Sequence, residues 1–228
     1  MGYSANTKIN PTIAERERQM LATGLSYAEI AQITGARQKS ISERNRLVYR
    51  IDIQRAFAER IERDGVPSRL NISDPFGYWF SGIFDGEGHL GAWRRDRPDG
   101  YAERRLFIQI RLRDDDIDVL RRIQNEIGAG VLVHYPGKGN ANPSAMIRIE
   151  QIKDLAELII PLFDKYPLYT KKRDEYAIWR TLVRSQYVAT LGGYSQRVAG
   201  SQEHTAAFDA GVNAIAQIRT YVSREHSA

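Results

Sequence analysis

The chain contains no cysteine. That excludes a disulfide scaffold, a thiolate zinc site and a cysteine nucleophile. Long apolar runs are also missing. No stretch approaches the roughly 20 consecutive apolar residues that span a bilayer. Met1–Asn10 is polar and lacks the apolar core of an export signal, so the reading is a protein of the cytoplasm with no membrane partner. Lysine is scarce, with 7 of the 33 basic residues, and arginine supplies the rest. Arginine suits bidentate contacts to phosphate and guanine, but codon bias produces the same excess. The net charge of +5 on 228 residues therefore decides nothing alone. The length holds one domain or two small ones, and no internal repeat is evident.

Three zones follow one another. Residues 11–64 carry helical periodicity and no strand signal. Residues 65–74, Gly65-Val66-Pro67-Ser68-Arg69-Leu70-Asn71-Ile72-Ser73-Asp74, read as a linker. From Pro75, helices and alternating strands mix. In the first zone, a helix from Pro11 ends near Gly24. Ser26, with Glu29 three residues on, forms a capping box for a helix over Tyr27–Thr34. Tyr27, Ile30, Ala31 and Ile33 would be its buried face, and Gly35 its stop. The next helix opens at about Arg37, and its pattern leaves open a continuation past Arg50 towards Arg63. This stretch resembles a helix-turn-helix with Arg37–Arg50 as the recognition helix. Arg37, Gln38, Lys39, Ser40, Ser42 and Arg44 are then the candidate DNA contacts.

A third-zone helix starts with Asp74 as cap and Pro75 in the first turn. It continues Phe76-Gly77-Tyr78-Trp79-Phe80-Ser81-Gly82-Ile83-Phe84-Asp85-Gly86. It is apolar nearly all round, which predicts burial on both sides. Gly82 and Gly86 share a face and permit close approach of a second helix. Asp85 and Glu87 sit at the C-terminal end, where the helix dipole disfavours negative charge. The pair fits a solvated turn, or a divalent cation held by Glu87 as a hard oxygen ligand. Asp114-Asp115-Asp116 reads as a helix cap rather than a second acidic site. His89, His134, His204 and His226 are scattered and read as structural or surface residues.

Phe80-Ser81-Gly82-Ile83-Phe84-Asp85-Gly86-Glu87-Gly88 resembles the signature of the LAGLIDADG homing endonucleases, in a form whose last acid is Glu. The resemblance extends over about 75–187. The elements read as helix 75–86, strands 89–97 and 103–113, helix 115–127, strands 130–135 and 144–149, and helices 152–163 and 172–186. The fold class is α+β: an αββαββα core with a DNA-facing antiparallel sheet. It is joined to an all-α N-terminal domain and followed by a helical extension at 188–228.

The resemblance implies a metal ligand at Glu87 assisted by the Gly86 carbonyl, with Asp85 and Gly82 structural. It implies an active-site lysine at Lys171, Lys172 being the alternative one residue along. The family's polar residue near the end of the second strand falls on Leu112, a departure that Arg111, Arg113 or Gln109 could make good. Strand alternation places Arg105, Phe107, Gln109, Arg111 and Arg113 on one face and Leu106, Ile108, Ile110 and Leu112 on the other. Trp93, Arg95 and Arg97 extend the first face, as do Val133 and Tyr135, with Lys138 and Asn140 in a loop.

The implied activity is magnesium-dependent hydrolysis of double-stranded DNA at a specific site, with manganese or calcium as substitute ions and no small-molecule substrate. One acidic motif per chain implies a homodimer and a near-palindromic target. A non-catalytic DNA-binding regulator and an intron RNA maturase are the competing readings. The presence of Glu87 favours the enzyme.

Overall fold

The computed structural model describes residues 10–96, 102–137, 142–191 and 202–225. Arg97, Lys138, Asn140 and His226 lie outside them, as does the side chain of His204. The chain divides into two compact units, Met1–Gly65 and Val66–Ala228.

The first unit is helical: α1 (Pro11–Ala22), α2 (Tyr27–Thr34), α3 (Gln38–Arg44) and α4 (Ile53–Asp64). Leu21, Ile30 and Ile41, one from each of the first three helices, form its fully buried centre. The capping box is complete, with the Ser26 N–H donating to Glu29 at 2.8 Å and Gly35 in the left-handed region at φ 72°. Ile33 is 52% exposed rather than buried. The helix opening at Arg37 does not run on to Arg63. A π-helical turn, Asn45–Tyr49, follows α3, and Arg50 takes φ 53°. The buried Asn45 side chain both accepts from the Ile51 N–H and donates to its carbonyl, each at 3.0 Å. Asp52 then caps α4 by accepting from the Arg55 N–H.

The second unit begins with α5 (Asp74–Glu87), β1 (Gly88–Asp96) and β2 (Ala102–Arg113). Next come α6 (Ile117–Ile127), β3 (Val131–Tyr135), β4 (Ser144–Ile149) and α7 (Ile152–Asp154). It ends with α8 (Ile160–Lys165), α9 (Lys172–Ala189) and α10 (Gln202–Glu225). The strands form one antiparallel sheet in the order β1-β2-β4-β3. Leu106, Ile108 and Ile110 are buried on one face, as the alternation predicts. Phe76, Phe80 and Phe84 line the buried side of α5, and the last two meet Phe163.

Ser73, not Asp74, caps α5, its hydroxyl accepting from the Phe76 N–H. Burial of α5 is one-sided in the isolated chain: Tyr78, Gly82 and Gly86 face outward, with Tyr78 60% exposed. The three aspartates Asp114–Asp116 form a 3-10 turn with no side-chain cap. Asp115 instead pairs with Arg113, and Asp114 with His134.

A π-helical turn, Leu155–Ile159, joins α7 and α8. Pro161 has no N–H to offer the carbonyl four residues back, and the Arg69 N–H takes that Glu157 carbonyl at 2.9 Å. The buried Glu157 carboxylate also accepts from the Arg69 guanidinium and from the Tyr187 hydroxyl.

Candidate nucleic-acid interface and catalytic centre

The segment 165–172 clamps α5 along one side, and the residues it needs recur at helical spacing. Tyr166 donates its hydroxyl to Asp74 at 2.7 Å, and its ring lies against Gly77, where a Cβ would come to 2.3 Å. Ser81 donates to the Tyr166 carbonyl at 2.6 Å. One turn further, Asp85 accepts from the N–H groups of Tyr169 and Thr170 and from the Thr170 hydroxyl, the last at 2.7 Å. Asp85 is thus spent on structure.

The clamp delivers Lys172 to the C-terminal end of α5. Its ammonium donates to the Asp85 carbonyl at 2.6 Å and approaches the Gly86 carbonyl at 3.4 Å. A cation there complements the negative end of the helix dipole. Lys171, the first candidate, is the exposed N-cap of α9. Glu87, at the last position of α5, is exposed, and so is Gly86.

His89 follows two residues later, half-buried, its ring 5.9 Å from that of Phe107. Burial pushes its pKa below the ordinary histidine value. Arg219, Lys172 and Arg148 push the same way, and Glu175 opposes them. His89, one of the histidines expected to be structural or surface residues, lies within electrostatic reach of these cations. No spacing rule signals it.

The outer face of the sheet carries the predicted polar row. The register sets His89 opposite Gln109, Trp93 opposite Arg105, and Gln109 opposite Arg148. Arg148 was not among the expected contacts, although the alternation Ser144, Met146, Arg148 points to it. Its guanidinium donates to Gln109 at 2.7 Å and covers the Phe107 ring at 4.3 Å. Arg111 donates to the Ser144 hydroxyl at 2.8 Å and lies over Tyr135 at 4.5 Å. These partners are neutral. They hold the two guanidinium planes without cancelling their charge, and such a face attracts an anion.

Other candidates are differently placed. Phe107 is 6% exposed, covered by Arg148 and packed on Gly91, so it supports the face rather than forming its surface. Arg105 shares its charge with Glu103 and Glu150, and Arg113 with Asp115. Trp93 and Arg95 are exposed.

In the helical unit, Arg37, Gln38 and Lys39 are exposed, while Ser40 and Ser42 are half-buried. Arg44 is not available as a surface contact. It forms a two-pronged pair, at 2.6 and 2.8 Å, with Glu17, which is 1% exposed and also accepts from the Tyr49 hydroxyl. A buried carboxylate needs that partner.

The donors at the end of α5, the Glu87 carboxylate and the Gly86 carbonyl, are hard oxygens of the kind that suit magnesium or calcium. Among the described residues no cluster of three or more His, Asp or Glu could hold an ion. No helix among the described residues is long and apolar enough to cross a membrane.

Residues 80–183 match the family model described as LAGLIDADG endonuclease. Among curated proteins, the chain is similar to the probable intron-encoded endonuclease 3 of Neurospora crassa. The two are 26% identical over 123 residues, covering 52% of this chain and 21% of that protein. It is also similar to the homing endonuclease I-ApeII of Aeropyrum pernix, 28% identical over 113 residues, covering 48% of this chain and 65% of that one. The chain thus spans less than two-thirds of either relative. Among solved structures, the LAGLIDADG meganuclease I-CpaMI bound to uncleaved DNA aligns at 26% identity with a TM-score of 0.43, over 51% of this chain and 39% of that one.

Proposed function

We propose, from the match of residues 80–183 to the LAGLIDADG endonuclease model, that the chain belongs to that family and is a site-specific endonuclease hydrolysing double-stranded DNA with a divalent ion. The observation that carries the reading is a juxtaposition. An exposed Glu87 carboxylate ends α5 beside the strand face on which Arg111 and Arg148 are held by neutral partners. The guanidinium face binds the duplex, and Gln109 offers an amide of the type that reads base edges.

Glu87 and the Gly86 carbonyl would hold the ion. A bound divalent ion neutralises charge on the phosphate and favours attack by water. Lys172 keeps a positive charge on the α5 carbonyls beside the ion's ligands and positions the end of the helix. His89, neutral at pH 7 by the direction of its shift, adds no charge to that cluster. Because each chain brings one Glu87, cutting both strands requires two chains. The outward stripe of Tyr78, Gly82 and Gly86 is where they would meet.

Within the helical unit, α2 and α3 would act as a second duplex-binding element through Arg37, Gln38, Lys39, Ser40 and Ser42. In the full chain, Arg37→Ala with Lys39→Ala should lower the salt slope of binding by about one per lost phosphate contact. An unchanged slope removes that role.

The central test compares wild type with Glu87→Gln on supercoiled DNA carrying the target, with magnesium. Wild type should linearise it. The variant should bind but lose more than the roughly 10–100-fold typical of outer-shell changes. If neither cuts while both bind, the protein is a non-catalytic DNA-binding regulator.

A further inference from the structure

The first two strands of the sheet overhang the other two. β4 pairs with β2 from Ile108 to Arg113, whereas β1 pairs with β2 from Ala102 to Ile110. The outer part is therefore a two-stranded ribbon, and such ribbons are marginal unless something packs against them. Its inner face carries an apparent error. Arg94 stands directly opposite Arg104, a like-charge pairing that opposes strand association. Arg104 is moreover 5% exposed.

Helix α10 answers both residues. Asp209 pairs with Arg94. The buried ring of Phe208 lies 5.8 Å from the Arg104 guanidinium carbon. Further along α10, Gly211 sits so close to Leu182 of α9 that a Cβ would come to 2.7 Å. Arg219 donates to the Leu90 carbonyl at 2.6 Å and to Glu175 at 2.7 Å. As α10 advances from Asp209 to Arg219, its contacts on β1 retreat from Arg94 to Leu90, so the helix lies along the strand in the opposite sense. The other face of the same ribbon presents Trp93, Arg95 and Arg105.

We propose that α10 is a positioning strut for DNA reading: Asp209 and Phe208 fix the pose of the overhanging ribbon and so set base discrimination at the outer end of the target. This rests on the reading of the outer sheet face as the DNA surface. Neither residue touches the duplex. Removing either loosens the packing of α10 on a ribbon that is marginal without support, which displaces Trp93, Arg95 and Arg105 together. Gln109, Arg111 and Arg148 are anchored by β4 and stay in place.

The test is enrichment from a randomised duplex pool with four full-length proteins: wild type, Asp209→Asn, Phe208→Ala, and the exchange Arg94→Asp with Asp209→Arg. Both single variants should lose roughly tenfold or more in discrimination at the outer positions of the enriched motif. The inner positions should be unchanged, and the charge exchange should restore the wild-type profile. Hydrogen exchange on the same proteins should show faster exchange at residues 92–95 and 103–106 in the single variants, with 108–112 still protected. An identical motif from wild type and both single variants overturns the strut while leaving the DNA surface standing. An even loss across all positions, or faster exchange throughout the sheet, also overturns it. If wild type enriches no motif, the DNA surface fails and the strut with it.

Discussion

At Glu29, burial and hydrogen bonding pull in opposite directions. Burial pushes its pKa up, but the Ser26 N–H, Arg60 and the Ser26 hydroxyl together hold it below the usual carboxylate value. The folded value is thus lower than the unfolded one. The group contributes stability above the ordinary range and loses it as pH falls through the folded value. Glu29→Gln should flatten that acid-dependent part of the stability of the helical unit between about pH 6 and pH 3. Denaturant midpoints across that range check it; parallel curves for variant and wild type would remove the assignment. Gly77 gives a second prediction at this scale. A Cβ there would meet the Tyr166 ring at 2.3 Å. That ring is tied by its hydroxyl to Asp74 and set edge-on to Tyr78, so it cannot yield freely. Gly77→Ala should therefore destabilise by about 1–3 kcal/mol through overpacking. Equal melting temperatures for the variant and wild type would refute the close contact.

Among the elements, α3 shows what a side chain's surroundings change. Its polar residues look equivalent in sequence, yet Arg44 is folded inward onto Glu17 while Lys39 is exposed. Arg44→Ala leaves a buried carboxylate without its cation and should destabilise the helical unit by about 3–5 kcal/mol. Lys39→Ala should stay within about 0.5 kcal/mol. Thermal unfolding separates the two, and similar losses would sink the distinction. The same contrast bounds what could be read beforehand. Periodicity captures what neighbours along the chain decide, and β2 has the inner and outer faces its alternation announces. The Ser26–Glu29 box and the Gly35 stop are equally local. The break at Arg50 was not legible, because Asn45 makes it by gripping Ile51 through its side chain. At the C-terminal end of α5, the positions of Asp85 and Glu87 were legible from the motif. Which of Lys171 and Lys172 reaches that end turns on where α9 begins, since one residue rotates a helical side chain by about 100°. Arg219 comes to Leu90 and within electrostatic reach of His89 by tertiary placement, which no spacing encodes.

For the whole molecule, the question is what covers the outward side of α5. The three glycines of α5 sacrifice about 1 kcal/mol each of propensity relative to alanine. Gly77 accounts for its own presence by admitting Tyr166. Gly82 and Gly86 have no such neighbour among the described residues, since a Cβ on either would meet nothing within 4 Å. Tyr78 on the same stripe leaves a large ring 60% exposed. A second copy of the same helix, related by a two-fold axis, accounts for all three residues at once. It would bring the two Gly82 backbones together and set one Glu87 on each strand of the target. The expectation is a dimer by sedimentation, with or without DNA. Gly82→Leu isolates the interface, because leucine favours the helix and the space around Gly82 is open among the described residues. That variant should keep the wild-type circular dichroism and a cooperative melt, sediment as a monomer, and fail to linearise supercoiled target. A variant that still sediments as a dimer would place the interface elsewhere. A wild type that stays monomeric on DNA would mean that one chain cuts one strand, and the target would then need no symmetry.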